Sequence, residues 1–198
     1  VYKFQTHLIG EFQAANLGMA LLTCETFGFK FDELVCFCDT LKPVPGRLEF
    51  VGKTKKGALV YIDFAHTPDA LKNLLKTLRG LTKGRLLLVF GAGGERDKDK
   101  RKSMGAIAYK YCDLIYVTDD NPRHEDSKSI RRQIINTCPS AIEIEDRAEA
   151  ITTAIHGARL DDIVIIAGKG HERVQIVKDN HFPFSDFEQA SIAIELLE

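Results

Sequence analysis

Four short apolar runs, residues 58–64, 85–90, 114–118 and 163–167, constrain the fold of this chain more than any other feature. Each is of strand length, rich in Val, Ile, Leu, Phe or Tyr, and largely without polar alternation. Such runs read as strands buried on both faces of a parallel sheet. The segments between them read as helices. Thr67-Pro68 has the form of an N-cap followed by proline at the first helical position, opening a helix to about Leu81. Further helices are expected over 102–112 and 127–137, and the capping boxes Asp146-x-x-Glu149 and Ser185-x-x-Glu188 open two more. Strands alternating with helices predict an α/β fold, a mostly parallel sheet with helices on both faces. Residues 48–51 add a strand joined to 58–64 by a polar turn over 52–57, and 141–144 a short one. For 174–177 an antiparallel place at a sheet edge is open.

Ahead of this pattern the chain changes character. Residues 11–27 and 31–41 read as two helices too small to bury a core of their own, and Pro43, Pro45 and Gly46 then mark a boundary. Residues 1–45 are therefore expected to be the tail of a preceding domain with its linker, and 46–198 a domain. A length of 198 residues fits one domain plus such a remnant. Lys and Arg number 27 against 28 Asp and Glu, so bulk charge points to neither a nucleic-acid nor a membrane partner. No run is long enough to span a membrane, and the first residues lack the build of a signal peptide. The five scattered cysteines suggest reduced, mostly buried thiols in a cytoplasmic protein. Cys36 and Cys38 have no second pair to complete a zinc site.

Each of the four runs ends in a polar loop: 65–68, 91–102, 119–123 and 168–172. Parallel sheets gather such loops along the carboxyl edge of the strands, where α/β proteins bind ligands. In Asp119-Asp120-Asn121-Pro122-Arg123, Pro122 stiffens the turn and Arg123 offers a planar fork of donors suited to a carboxylate. Gly91-x-Gly93-x-x-Arg96 is a near miss to the dinucleotide fingerprint, with Arg where the third glycine belongs. Its basic continuation reads either as a solvated charged loop or as an anion-binding loop at a helix start. Gly52-Lys53-Thr54 fails as a P-loop, because Arg47 stands where the pattern needs glycine; it reads as part of a turn. In Gly168-Lys169-Gly170-His171-Glu172 the glycines permit close backbone approach, and Glu172 could receive an ammonium group.

Taken together these motifs resemble the Mur ligase family, nearest to its branch that adds the third residue of the peptidoglycan stem peptide. The residues that carry the likeness run in the family's order. They are Gly10-Glu11-Phe12 with Asn16, 46–49, 63–71, 89–101, Asp120-Asn121-Pro122-Arg123, and 168–172 with Gln175. Phe64 stands where tyrosine is usual, and Glu95 and Asp99 replace the more usual Asp and Gly; neither change removes an implied contact. The resemblance implies a Rossmann-like carboxyl-terminal domain that binds the incoming amino acid, preceded by the end of a central ATPase domain.

Roles follow from the same likeness. Arg96, Asp120, Asn121, Pro122, Arg123, Gly168 and Glu172 would bind meso-diaminopimelate, with Arg123 on its distal carboxylate and Gly168 and Glu172 at its distal amino group. Asn16 would contact adenine, Arg47 the phosphates, Asp63 the ribose, and His66 would lie near the nucleotide. ATP and Mg2+ would be bound mainly by family parts not matched here, and a UDP-N-acetylmuramoyl dipeptide would be the second substrate. The implied reaction runs through an acyl phosphate that the amine attacks. The fragment alone is expected to be inactive, and the enzyme cytoplasmic and monomeric. A sibling Mur ligase, a folate-chain ligase, or a non-catalytic binding module are the competing readings.

Overall fold

The computed structural model describes residues 2–196. The chain divides into two compact units, Val1–Val44 and Pro45–Glu198. In the first, α1 (Glu11–Thr26) buries Leu17 and Leu21 with Cys38 from beyond α2 (Phe31–Val35), and Leu8, Phe31 and Leu34 pack around them. The second helix is shorter than the expected 31–41. Past Val35 the backbone tightens into turns, Phe37 N–H donating to Leu34 C=O and Cys38 N–H to Val35 C=O. The run Val35-Cys36-Phe37-Cys38 is made of weak helix formers, which cannot hold the longer span. The thiols also divide: Cys38 and Cys138 are buried, whereas Cys36 is exposed.

The second unit is built on a six-stranded sheet. Its strands are β1 (Glu49–Lys53), β2 (Leu59–Asp63), β3 (Leu86–Phe90), β4 (Leu114–Val117), β5 (Ile142–Glu143) and β6 (Ile163–Ala167), in the order β1-β2-β6-β3-β4-β5. Only β1 runs antiparallel, pairing β2 at one edge; the rest are parallel. All five residues of β3 and of β6 are buried, as continuous apolar runs demand of central strands covered on both faces. The covering helices are α3 (Pro68–Leu81), α4 (Asp99–Tyr111), α5 (Ser127–Ile135), α6 (Arg147–Gly157) and α7 (Asp186–Glu195). The predicted caps are formed: the side chains of Thr67, Asp146 and Ser185 each accept a backbone N–H from the first turn. Helix α4 starts at Asp99, three residues earlier than expected.

Two expectations change. Residues 174–177 join no edge of the main sheet; β7 (Val174–Val177) pairs antiparallel with β8 (Asn180–Pro183) as a separate hairpin. Its carboxyl end is pinned instead to the loop after β4, described below. Gly52 belongs to β1, whose register shifts between Phe50 and Gly52, so the turn proper is only Thr54 to Gly57. Among the described residues no helix is long and apolar enough to cross a membrane.

A buried ion pair locks α6, α7 and β6 together. Arg147 Nε and Nη2 donate to the two carboxylate oxygens of Asp186 at 2.7 and 2.8 Å, and Nη2 also reaches the Ala167 carbonyl at 3.0 Å. Both side chains are completely buried. Removing one partner strands the other charge away from water, which costs about 3–5 kcal/mol. Asp186→Asn is expected to lower unfolding free energy by about that amount, measured by urea denaturation followed by circular dichroism.

Candidate functional site

Strand register aligns the ends of the central strands. Asp63 of β2 pairs with Ala167 of β6, Ala167 with Phe90 of β3, and Phe90 with Val117 of β4. All four polar loops therefore leave the sheet along one edge, and a cleft of about 560 Å³ opens between them. Its lining draws on every loop, from His66 through Gly91, Arg96 and Arg123 to Gly168 and Glu172.

The loop after β4 is held by contacts from three directions. Asn121 lies at the centre: its Oδ1 accepts from Lys169 Nζ at 2.8 Å and from Ile176 N–H at 3.0 Å, while its Nδ2 donates to Glu172 Oε2 at 3.0 Å. Gln175 Nε2 donates to the Asp120 carbonyl at 2.9 Å. The backbone of Arg123 then pairs with the hairpin, its N–H donating to Ile176 C=O and its C=O accepting from Lys178 N–H. Arg123 takes φ +53, an uncommon conformation for a residue with a side chain, and these two bonds hold it there. From below, the glycine loop fits against Pro122: a Cβ on Gly94 would lie 1.9 Å from the Pro122 carbonyl oxygen. A Cβ on Gly91, the first glycine of the near-miss fingerprint, would likewise lie 2.3 Å from the Thr118 carbonyl oxygen, so that glycine serves loop-to-loop contact within the protein.

Charge is unevenly placed around the cleft. Arg96, Lys100 and Arg123 supply cations and Asp97, Asp120 and Glu172 anions. Arg123 Nη1 is steadied by the Gly94 carbonyl at 2.9 Å. The guanidinium of Arg96 has no hydrogen-bond partner among the described residues. Lys100 Nζ donates to the His66 carbonyl at 3.0 Å, and burial pulls its pKa below the ordinary lysine range against the nearby Asp120 and Asp97. Glu172 Oε2 receives both Asn121 Nδ2 and Lys169 Nζ; Oε1 has no protein donor among the described residues. Asp120 Oδ1 caps the Asn121 N–H at 2.6 Å, and a Cβ on Gly168 would lie 2.9 Å from Asp120 Oδ2. The backbone there also needs the φ of +116 that glycine allows. An elongated ligand with both carboxylate and ammonium groups matches this distribution.

Of the residues singled out in the sequence, His66, Arg96, Asp120, Asn121, Arg123, Gly168 and Glu172 line the cleft together. Pro122 is buried in the loop and contributes backbone shape. Asp63 lies outside the lining, and both of its oxygens already accept from backbone, Leu48 N–H and Ala65 N–H at 2.7 Å each. Burial raises its pKa, opposed by those two N–H groups and by Arg47. Arg47 is exposed with its guanidinium 4.5 Å from the centre of the Phe64 ring, and His66 and His171 pack on the same ring. His66 Nδ1 donates to Phe64 C=O at 2.8 Å, which leaves Nε2 as an acceptor. Asn16 is exposed on α1 of the first unit. Among the described residues no group of three or more His, Cys, Asp or Glu is placed to hold a metal ion.

Some supporting residues carried little signal in the sequence. Lys100 and Arg101 were part of an undifferentiated charged loop, yet one enters the cleft and the other is completely buried. Arg101 bonds both oxygens of Glu125, Gln133 and the Gly93 carbonyl, fixing the glycine loop from behind. Lys169 read as a turn cation, and its burial follows only from the tertiary fold.

Residues 46–170 match the family described as Mur ligase, glutamate ligase domain. The chain belongs to the Mur ligase family. It is 45% identical over 198 residues to the UDP-N-acetylmuramoyl-L-alanyl-D-glutamate--2,6-diaminopimelate ligase of Agrobacterium fabrum, covering 100% of this chain and 40% of that protein. The ligase of the same name from Rickettsia typhi is 47% identical over 192 residues, covering 95% and 38%. A solved structure of a ligase of this name superposes with a TM-score of 0.74 at 37% identity, over 98% of this chain and 40% of that one. The chain thus spans about two fifths of the length of these Mur ligases. The E. coli FolC structure in complex with ADP superposes at 0.69 with 18% identity, over 100% of this chain and 41% of that one, a likeness of fold alone.

The Arg101 guanidinium holds the Glu125 carboxyl down at about 2, from an ordinary 4.5, against the opposing effect of burial. A carboxyl depressed on folding stabilises the native state above its unfolded pKa, and that stability is lost as pH falls from 4.5 toward 2. With partial exposure allowed for, the effect is roughly 2 kcal/mol. Glu125→Gln is therefore expected to be the less stable protein at pH 7, with the gap closing toward pH 2, as read from denaturation midpoints across that range.

Proposed function

We propose that this chain is the amino-acid-binding part of an ATP-dependent ligase that joins meso-diaminopimelate to UDP-N-acetylmuramoyl-L-alanyl-D-glutamate. The observation that carries the reading is the cleft's division of charge, with Arg123 and Arg96 available to carboxylate and Glu172 Oε1 to ammonium. Meso-diaminopimelate carries one group of each sign at each end. Selecting it over lysine requires a fixed cation for the additional carboxylate, and the guanidinium of Arg123, already oriented by Gly94, supplies it with paired donors. The names borne by the relatives at 45 and 47% identity support the same substrate.

In this reading Arg123 and Arg96 hold carboxylate, Asp120 and Asn121 shape the end of the cleft, and Gly168 with Glu172 receives the distal amino group. Pro122 acts through the shape of the loop. Nucleotide contacts are assigned to Asn16 on the first unit and to Arg47 and His66 on the second. The Phe64 ring stacks Arg47, and Asp63 holds the turn that carries it, an indirect route to the nucleotide beside the ribose role that the family resemblance implies. ATP supplies the phosphoryl group that activates the dipeptide carboxylate as an acyl phosphate, with Mg2+ held by parts of the ligase outside this chain. The residues of the cleft then contribute position: they hold the diamino acid so that its reacting amine meets the acyl carbon, an entropic advantage over free encounter. Residues 1–45 are assigned to the end of the central ATPase domain, and the whole enzyme to the cytoplasm as a monomer.

The test is calorimetric titration of the full-length ligase, with nucleotide and dipeptide precursor present, using meso-diaminopimelate and lysine. Arg123→Ala is expected to weaken meso-diaminopimelate binding by about tenfold to a hundredfold, the scale of a lost charge-assisted pair, and to leave lysine binding nearly unchanged. A variant that still prefers meso-diaminopimelate as the wild type does would overturn the assignment.

A further inference from the structure

Lys169 is an unusual residue to find where it is. Its side chain is completely buried, and an ammonium group withdrawn from water is costly unless its charge and its donors are met. The partners it has are Asn121 Oδ1 at 2.8 Å and Glu172 Oε2 at 3.1 Å. Both belong to residues that line the cleft. A lysine serving only to fill the interior would have been replaceable by an apolar side chain, whereas this one spends its charge on the wall of the site.

The three side chains close a ring, because Asn121 Nδ2 also donates to Glu172 Oε2, at 3.0 Å. Two consequences follow. First, Oε2 of Glu172 is occupied by two donors, so a ligand meets Oε1. Second, the cations are shared out: Lys169 meets Glu172 from beneath, while Lys100 lies near Asp120. The turn makes the arrangement possible, with Gly168 at φ +116 and Gly170 at φ +54 placing Lys169 inward, and the Glu172 N–H donating back to the Lys169 carbonyl.

We infer that Lys169 is a positioning residue that sets the ammonium-binding end of the cleft, orienting Glu172 so that Oε1 faces the ligand. This rests on the ligase reading above and extends it to a residue that touches no ligand. The role differs from simple structural support in a measurable way. Support would affect every ligand of the cleft alike, whereas positioning of Glu172 affects only ligands that carry the second amine.

The experiment compares meso-diaminopimelate with 2-aminopimelate, which keeps both carboxylates and one amine but lacks the other. Binding of each to full-length protein is measured by calorimetry with nucleotide and dipeptide precursor present, for wild type and for Lys169→Met. Methionine matches the length of the stem without the charge, and Asn121 and Glu172 keep their bond to each other. The wild type is expected to favour meso-diaminopimelate, and Lys169→Met to cut that preference about tenfold while 2-aminopimelate binds as before. Equal weakening of both ligands, or an unchanged preference, overturns the inference. Wild type that binds neither ligand overturns the ligase reading itself, and this inference with it. Should circular dichroism show Lys169→Met unfolded, Lys169→Gln decides, since it removes the charge yet keeps a donor for Asn121 Oδ1. An unchanged preference in Lys169→Gln overturns the inference, and a preference lost while 2-aminopimelate binds as before supports it.

Discussion

The amide of Asn121 is the contact on which the rest of the site depends. Its oxygen takes a proton donor from the turn after β6 and another from the hairpin, and its nitrogen reaches Glu172. One side chain thereby ties the loop after β4 to the turn after β6 and to the hairpin that follows it, 48 to 55 residues further along the chain. Only a group with both donors and an acceptor can do this, and the surroundings fix which way the amide faces: Lys169 Nζ and Ile176 N–H can only donate, so the oxygen must point to them. An aspartate at this position would lose the bond to Glu172 and set a like charge against it.

Around that centre the site is braced by buried cations rather than by apolar packing alone. Arg101 holds the glycine loop through Gly93 and Glu125, Arg147 reaches Ala167 at the end of β6, and Arg131 pairs with Asp119, Glu143 and Glu145 beside the loop after β4. Buried ion pairs contribute little net stability, since desolvation offsets most of their attraction. What they provide here is direction. Each fixes a loop at the end of a central strand, so the charges that line the cleft are held still.

The sheet was legible in the sequence because its central strands are apolar throughout. The runs at 86–90 and 163–167 match no amphipathic helix and are too short for a buried one, so their place followed. The caps at Thr67, Asp146 and Ser185 were legible for a similar reason: a short polar side chain beside a helical pattern has a local use. Residues 174–177 were read as a strand but misplaced, because their partner, 180–183, is exposed and carries no apolar signal. Within the site, Arg123 and Glu172 stood out because both lie in polar loops after buried strands, and four such loops gather at one edge of a parallel sheet. Lys169 and Arg101 did not, since burial of a charged side chain is decided by distant partners such as Asn121 and Glu125. Asp63 shows the converse, a residue with a legible type whose oxygens are largely spent on its own backbone.

The central claim is that the cleft holds a diamino dicarboxylic acid by opposite charges at fixed places. The most direct test is a crystal structure of the full-length ligase with meso-diaminopimelate and a nucleotide analogue. The account predicts one carboxylate within hydrogen-bond distance, roughly 2.7–3.2 Å, of the Arg123 guanidinium and an ammonium at the same distance from Glu172 Oε1. A ligand bound elsewhere, or in this cleft with its ammonium away from Glu172 and its carboxylate away from Arg123, would contradict it.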